Sequence, residues 1–309
     1  MQRVLTSVTL LGLLVATAAA FAITEHLKEI KSPLSGVKVS KVLSPVCHCP
    51  TAEATVSIKL RHTDHVTVTI VDSAYDKVAT LASGVRVPPH QVQPFVWNGR
   101  TAAGAVAPDG VYHTEVHLAH ARHTYKFTNK IVMDTKAPEV LAPPSVEKPV
   151  LLAGPGRSIA IHYDFSEPAH ALVYLGGRRI IVGRSTKSHR VKWAGTRGGL
   201  PLRAGTYVLS VGARDPAGNE TPASERKRVK VVVRYVELTP GRVTVRSGRS
   251  FKVHVTTAEK RYTWRLGQRH GSRRGSSLRL RAPTTPGTYR LLVRADGHAQ
   301  TAVVRVSGR

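Results

Sequence analysis

Cys47-His48-Cys49 is the one local cluster of soft ligands in the chain, and these two are its only cysteines. A structural zinc site needs three or four donors around the ion, and the usual paired motif spaces its cysteines by two or more residues. With no second pair, no metal site is expected. Oxidation competes, because the chain reads as exported and thiols outside the cytosol oxidise. A bridge across a single residue requires a sharp backbone turn to bring the two Cβ atoms together. An intrachain Cys47–Cys49 disulfide, an intermolecular one, and free or modified thiols all stay open at this level.

Fifteen histidines invite a second metal reading, most of all His113, Glu115 and His117, with His120 and His123 beyond. Alternate strand residues share a face but sit almost 7 Å apart, so a compact ligand shell would need a neighbouring strand. The set reads as a solvated polar face. Nucleophilic chemistry has less support: there is no G-x-S-x-G elbow, H-E-x-x-H, phosphate-binding P-loop or dinucleotide-binding glycine fingerprint. The expectation is a protein without catalytic residues and without a cofactor.

Charge is the strongest global signal. Lys and Arg number 46 against 19 Asp and Glu, a net charge of +27. It rises along the chain, from nine basic and seven acidic residues over 51–137, through sixteen and seven over 138–236, to sixteen and three over 237–309. The densest stretch, Lys260 to Arg281, interleaves Arg with Tyr262 and Trp264. Lys260, Arg261, Arg265, Arg269, Arg273, Arg274, Arg279 and Arg281 are the candidate anion-binding residues, expected around a hairpin or loop between Trp264 and Leu278. The chain shows no recognition helix or zinc finger, and export makes an intracellular duplex a poor partner, so nucleic acid is not expected. Teichoic acids, acidic polysaccharides, anionic headgroups or another envelope protein with an acidic face satisfy the same electrostatics. The oligomeric state is left open.

The elements that must carry these residues are strands. A chain of 309 residues exceeds one ordinary core. Its 41% hydrophobic content, 25 Gly and 19 Pro exclude a disulfide-dense scaffold, a collagen and an acidic disordered chain. Val56, Ile58 and Leu60 alternate, as do Val66, Val68 and Ile70, the period of half-buried strands. Three phrases place a Gly two residues before a Tyr, at Gly110/Tyr112, Gly205/Tyr207 and Gly287/Tyr289. They define a repeat of about 80 to 95 residues, the size of a β-sandwich. Trp97 and Trp193 precede their tyrosines by fifteen and fourteen residues, whereas Trp264 lies twenty-five before Tyr289. All six aromatics are expected to pack in cores or corners.

Val4 to Ile23 holds twenty residues without charge, enough at ~1.5 Å per residue to span a hydrocarbon layer of ~30 Å. It reads as a single-pass anchor. A cleavable signal peptide, with Ala18, Ala20 and Ala22 near its end, is the alternative, and both export the body. The expected divisions are 1–23 anchor or signal peptide, 24–50 linker, 51–134, 135–236 and 237–309 sandwiches, joined closely enough to form a semi-rigid rod.

Val68 to Asp72, Val78 to Leu81, Phe95-Val96-Trp97-Asn98-Gly99, Gly104 and Pro108-Asp109-Gly110-Val111-Tyr112 resemble the immunoglobulin-like module of bacterial flagellar hook-capping proteins, over residues 66–118. Asp134 to Pro138 and Ala213 to Thr221 resemble the joints and endings of bacterial immunoglobulin-like repeats more loosely. The hairpin Ser73-Ala74-Tyr75-Asp76 departs from the hook-cap pattern, which commonly carries Gly or Asn-Gly there. The whole chain is similar to membrane-anchored surface proteins of high-GC Gram-positive bacteria. Together with the apolar run Val4 to Ile23, these likenesses imply an all-β chain of tandem immunoglobulin-like β-sandwiches behind one N-terminal transmembrane or signal-anchor helix. They imply a location at the cell membrane with the β domains extracytoplasmic. The function expected is a non-enzymatic scaffold or adhesive module of the cell envelope. The alternatives are a secreted wall-binding protein and, with less support, a hook assembly factor.

Overall fold

The computed structural model describes residues 11–21 and 32–308. The anchor expected over 1–23 falls partly outside these, and of it residues 11–21 are helical. Among the described residues, no helix is long and apolar enough to cross a membrane. That finding overturns the transmembrane helix, the membrane as a partner and the single-pass cell-membrane location.

Among the described residues all other regular structure is β, and the chain divides into two compact units, Met1–Thr135 and Lys136–Arg309. In the first unit, Leu34–Val39, Ala54–Leu60 and Val92–Trp97 form a three-stranded antiparallel sheet. The facing sheet runs Val42–Leu43, Ile131–Met133, Gly110–Leu118, Asp64–Val71, Lys77–Val87, with His123–Lys126 also paired to Gly110–Leu118. Period-two alternation turns Val56, Ile58, Leu60, Val66, Val68 and Ile70 into one fully buried core with Trp97 and Tyr112. The sandwich starts at Leu34, inside residues whose Pro, Gly and Lys content reads as a connector. The Asp72–Asp76 hairpin manages without glycine. Tyr75 itself adopts a positive φ of 67°, and the Asp72 carboxylate accepts from the Ala74 and Asp76 N–H groups at 2.8 and 2.9 Å.

The second unit holds two sandwiches. One pairs the sheet Ser145–Val146, Ile159–His162, Arg190–Trp193 with the sheet Val150–Leu152, Lys227–Arg234, Gly205–Arg214, His170–Leu175, Arg178–Val182. The other pairs Val236–Thr239, Ser250–Thr257, Ser277–Arg281 with Arg242–Arg246, His298–Ser307, Gly287–Ala295, Arg261–Leu266, Arg269–Arg274. One topology recurs three times. In each sandwich an early strand joins the larger sheet by pairing in parallel with the last strand: Val42–Leu43 with Ile131–Met133, Val150–Leu152 with Lys227–Arg234, Arg242–Arg246 with His298–Ser307. All other strand pairings are antiparallel, the arrangement of immunoglobulin-like sandwiches.

The Gly-x-Tyr repeat marks the same corner each time. Tyr112, Tyr207 and Tyr289 donate their hydroxyls to the carbonyl four residues back, Pro108 at 2.6 Å, Arg203 at 2.8 Å and Thr285 at 2.9 Å. Each bond ties the turn entering a central strand to that strand. Trp97 and Trp193 also match: both are almost fully buried, and both donate their indole N–H to the carbonyl three residues on, at 2.9 Å. Trp264 is a different kind of residue. It is half-buried in the larger sheet and lies over Gly271, where a Cβ would come within 3.1 Å of the indole.

Candidate functional site

The basic stretch does not stay together in space. Arg261–Leu266 and Arg269–Arg274 form an edge hairpin of the larger sheet, whereas Ser277–Arg281 crosses to the smaller one. Along Arg261–Leu266, Tyr262 and Leu266 are buried, so Arg261 and Arg265 project outward, and the register puts Arg274 and His270 beside them. Arg269 and Arg273 lie opposite Leu266 and Tyr262 and therefore point along the exposed inner side of the edge strand. Arg279 and Arg281 project from the smaller sheet, paired with Lys252 and Ser250. Lys260 is exposed just ahead of the hairpin.

The register of the larger sheet adds residues that the dense stretch does not contain. Arg294 pairs with Thr263 in Arg261–Leu266, and Arg290 pairs with Val303, which pairs in turn with Arg242. Arg305 and Arg246 share this face through Thr288, Thr244 and Ser307. Eight arginines, 242, 246, 261, 265, 274, 290, 294 and 305, thus stand exposed on one sheet face, which among the described residues presents no carboxylate. The acidic residues of this sandwich lie elsewhere. Glu237 is in the smaller sheet, Glu259 follows Ser250–Thr257, and Asp296 sits in the turn after Gly287–Ala295. Arg261 and Arg274 are directly cross-strand neighbours, an arrangement that costs stability when no counter-charge is present. The signal in sequence is an Arg at every second or fourth position, out of phase with buried Val and Leu.

At one end of the same sandwich Arg249, Arg269 and Arg281 line a cleft of about 860 Å³ together with Gln268, Thr284 and Tyr289. Two of these guanidinium groups are held by backbone. Arg269 donates an Nη1–H to the Arg281 carbonyl at 2.8 Å, and Arg281 donates its Nε–H to the Gly248 carbonyl at 2.8 Å. Beneath the hairpin, the Tyr262 hydroxyl is buried without a hydrogen-bond partner. Burial raises its pKa, and the nearby Arg273 charge only partly opposes this.

The remaining candidates separate. Cys47 and Cys49 are joined in a disulfide inside a tight turn, with His48 at φ 48° and the two Cα atoms 5.2 Å apart. His113 stacks on Tyr75 at 5.7 Å, Glu115 pairs with Lys126 at 3.2 Å, and His117 contacts the Thr124 hydroxyl at 2.9 Å. Each of the three has its own neighbour and they share no common point.

A family profile described as "FlgD Ig-like domain" matches residues 48–121, so a FlgD-like immunoglobulin domain occupies that part of the first unit. Compared with curated proteins, the chain matches none. Among solved structures it is similar to three immunoglobulin domains of titin, I67–I69, at 10% identity and a TM-score of 0.31, covering 89% of this chain and 98% of that one. A fragment of a 1.5-MDa bacterial ice-binding adhesin follows at 13% identity and 0.29, covering 89% and 98%. A Bacteroides ovatus glucan-utilisation protein, SGBP-B, in complex with a mixed-linkage heptasaccharide, follows at 14% and 0.28, covering 89% and 67%. These likenesses are distant and extend no further than that. The class defined by the topology is an all-β chain of immunoglobulin-like sandwiches.

Proposed function

We propose that the protein is a secreted adhesive or scaffolding module of the cell envelope that binds anionic polymers through its third sandwich. The observation that carries this reading is the sheet face with eight exposed arginines and, among the described residues, no carboxylate. A flat array of uncompensated cations attracts a polyanion over a distance set by the Debye length and holds it by release of counterions. The Cys47–Cys49 disulfide supports an oxidising, extracytoplasmic setting. A part in hook assembly has less behind it, since the hook-cap likeness covers only the first sandwich.

Co-sedimentation of the full chain with purified cell walls tests this. Retention should fall steeply between about 50 and 200 mM salt. Replacing Arg261, Arg265, Arg274, Arg290 and Arg294 of that face with Ser should reduce it while leaving folding nearly unchanged, because exposed charges contribute little to stability. Equal retention of both proteins at every salt concentration would leave the charge without a partner.

A further inference from the structure

We infer that the cleft at the end of the third sandwich is a discrete seat for one anionic unit of such a polymer, an oxyanion carried on a hydroxyl-rich residue. This deepens the polymer-binding reading and rests on it.

The sheet face offers charge alone. The cleft offers charge with geometry. None of its lining residues is acidic, so Arg249, Arg269 and Arg281 meet no counter-charge there. Yet two of them are fixed. Arg281 uses Nε on the Gly248 carbonyl and keeps both terminal nitrogens, and Arg269 uses one Nη1–H on the Arg281 carbonyl. A guanidinium held by a carbonyl has lost much of its rotamer freedom without losing its charge. That is the preorganised state in which Arg forms two parallel bonds to a carboxylate or phosphate.

The rest of the lining fits a polyol rather than an apolar guest. The Gln268 amide and the Thr284 and Thr285 hydroxyls supply donors and acceptors, and the ring of Tyr289 supplies a flat apolar wall. That ring is fixed by its own hydroxyl bond to the Thr285 carbonyl. At about 860 Å³ the cleft falls within the usual range for small-ligand sites, ~300–1,000 Å³. It accommodates a few sugar or polyol-phosphate units and leaves the remainder of a chain free to run onto the arginine face.

Carboxylates and phosphates present the same paired oxygens, so calorimetric titration of the full chain should use three probes: an oligogalacturonate, an oligomeric glycerol phosphate and a neutral cello-oligosaccharide. Saturable one-to-one binding is expected for one or both charged probes and not for the neutral one. Arg249 makes no side-chain hydrogen bond among the described residues, so Arg249→Gln leaves the backbone staples in place and should weaken binding by about tenfold. Arg281→Lys keeps the charge, removes the fork and should weaken it as much. Unfolding midpoints recorded alongside exclude misfolding as the cause. Retention on cell walls that persists while the charged probes fail to saturate, or while Arg249→Gln binds them like the parent, would overturn the cleft and spare the polymer reading. Loss of salt-dependent wall retention in the parent would overturn that reading itself. Equal binding of the neutral probe would also overturn the cleft's assignment to an anion.

Discussion

The ring of Tyr235 lies flat on the imidazole of His298, centroids 3.6 Å apart and planes within 5°. Tyr235 follows directly on the last strand of the second sandwich and donates its hydroxyl to the Leu202 carbonyl at 2.5 Å, whereas His298 opens the last strand of the third. Nearby, a Cβ on Gly154 would stand 2.2 Å from that of Ala258. The two sandwiches of the second unit therefore meet through a stacked pair and through a point where only glycine fits.

This makes their unfolding a shared event. Calorimetry of the full chain should show one transition for residues 136–309. His298→Ala should cost about 1 kcal/mol, the size of a ring pair beyond its area. Gly154→Val should split the transition in two, because the contact with Ala258 cannot close. A single unshifted transition in Gly154→Val would mean that the two sandwiches do not depend on this contact.

Trp97 and Trp193 each plug one sandwich. Trp97→Ala should destabilise the first sandwich, and Trp193→Ala the shared transition of the second unit, each by roughly 3 to 5 kcal/mol. Trp264, half-buried over Gly271, should cost less. Changes under about 1 kcal/mol at both buried positions would contradict their core placement.

Asp64 gives the first unit an acid-sensitive point. Burial alone raises its pKa, but N–H bonds from His120, Ala121 and His65, at 2.8, 3.2 and 2.7 Å, and the His120 charge outweigh that and hold it below the ordinary carboxylate value. The unfolded chain takes up this proton near pH ~3.9 and the folded one only below that. The stabilisation is thus present above ~3.9 and is lost as pH falls through the folded value. Denaturant midpoints between pH 6 and 2.5 should show Asp64→Asn less stable than the parent at pH 6, with the gap closing as pH drops. A constant gap would dissociate Asp64 from acid sensitivity.

The unpartnered Tyr262 hydroxyl predicts the opposite sign for a deletion. Tyr262→Phe should be neutral or stabilising by up to about 1 kcal/mol, since a buried polar group without a bond carries an uncompensated desolvation cost. Denaturant titration of the full chain reads this directly, and a loss above about 1 kcal/mol would reveal a bond to that oxygen.

The strands of the first sandwich were legible wherever burial was one-sided, as in Val56, Ile58 and Leu60, because alternation survives there. Leu34–Val39 was not, since an edge strand only partly buried at Leu34, Val37 and Val39 leaves Gly36 and Lys38 free to blur the period. The tyrosine corners were legible from Gly-x-Tyr because each turn needs the same local geometry. The arginine face was only partly so. Arg279 and Arg281 adjoin Arg274 in sequence but belong to the other sheet, while Arg290, Arg305 and Arg242 join it through register, which charge spacing does not encode.

The strand Arg269–Arg274 is the last of its sheet, and among the described residues no strand pairs with its outer side. Such an edge is a template on which a second chain can add a strand. Here Arg269, Arg273 and Arg274 are exposed along it, so two copies approaching edge to edge bring like charges together at strand spacing. The arginines therefore act as a guard against self-zippering, and the guard is electrostatic. High salt, or a polyanion that pairs with these side chains, removes it, so colloidal stability of the protein should be lowest where its charge is most fully screened or matched by bound anions.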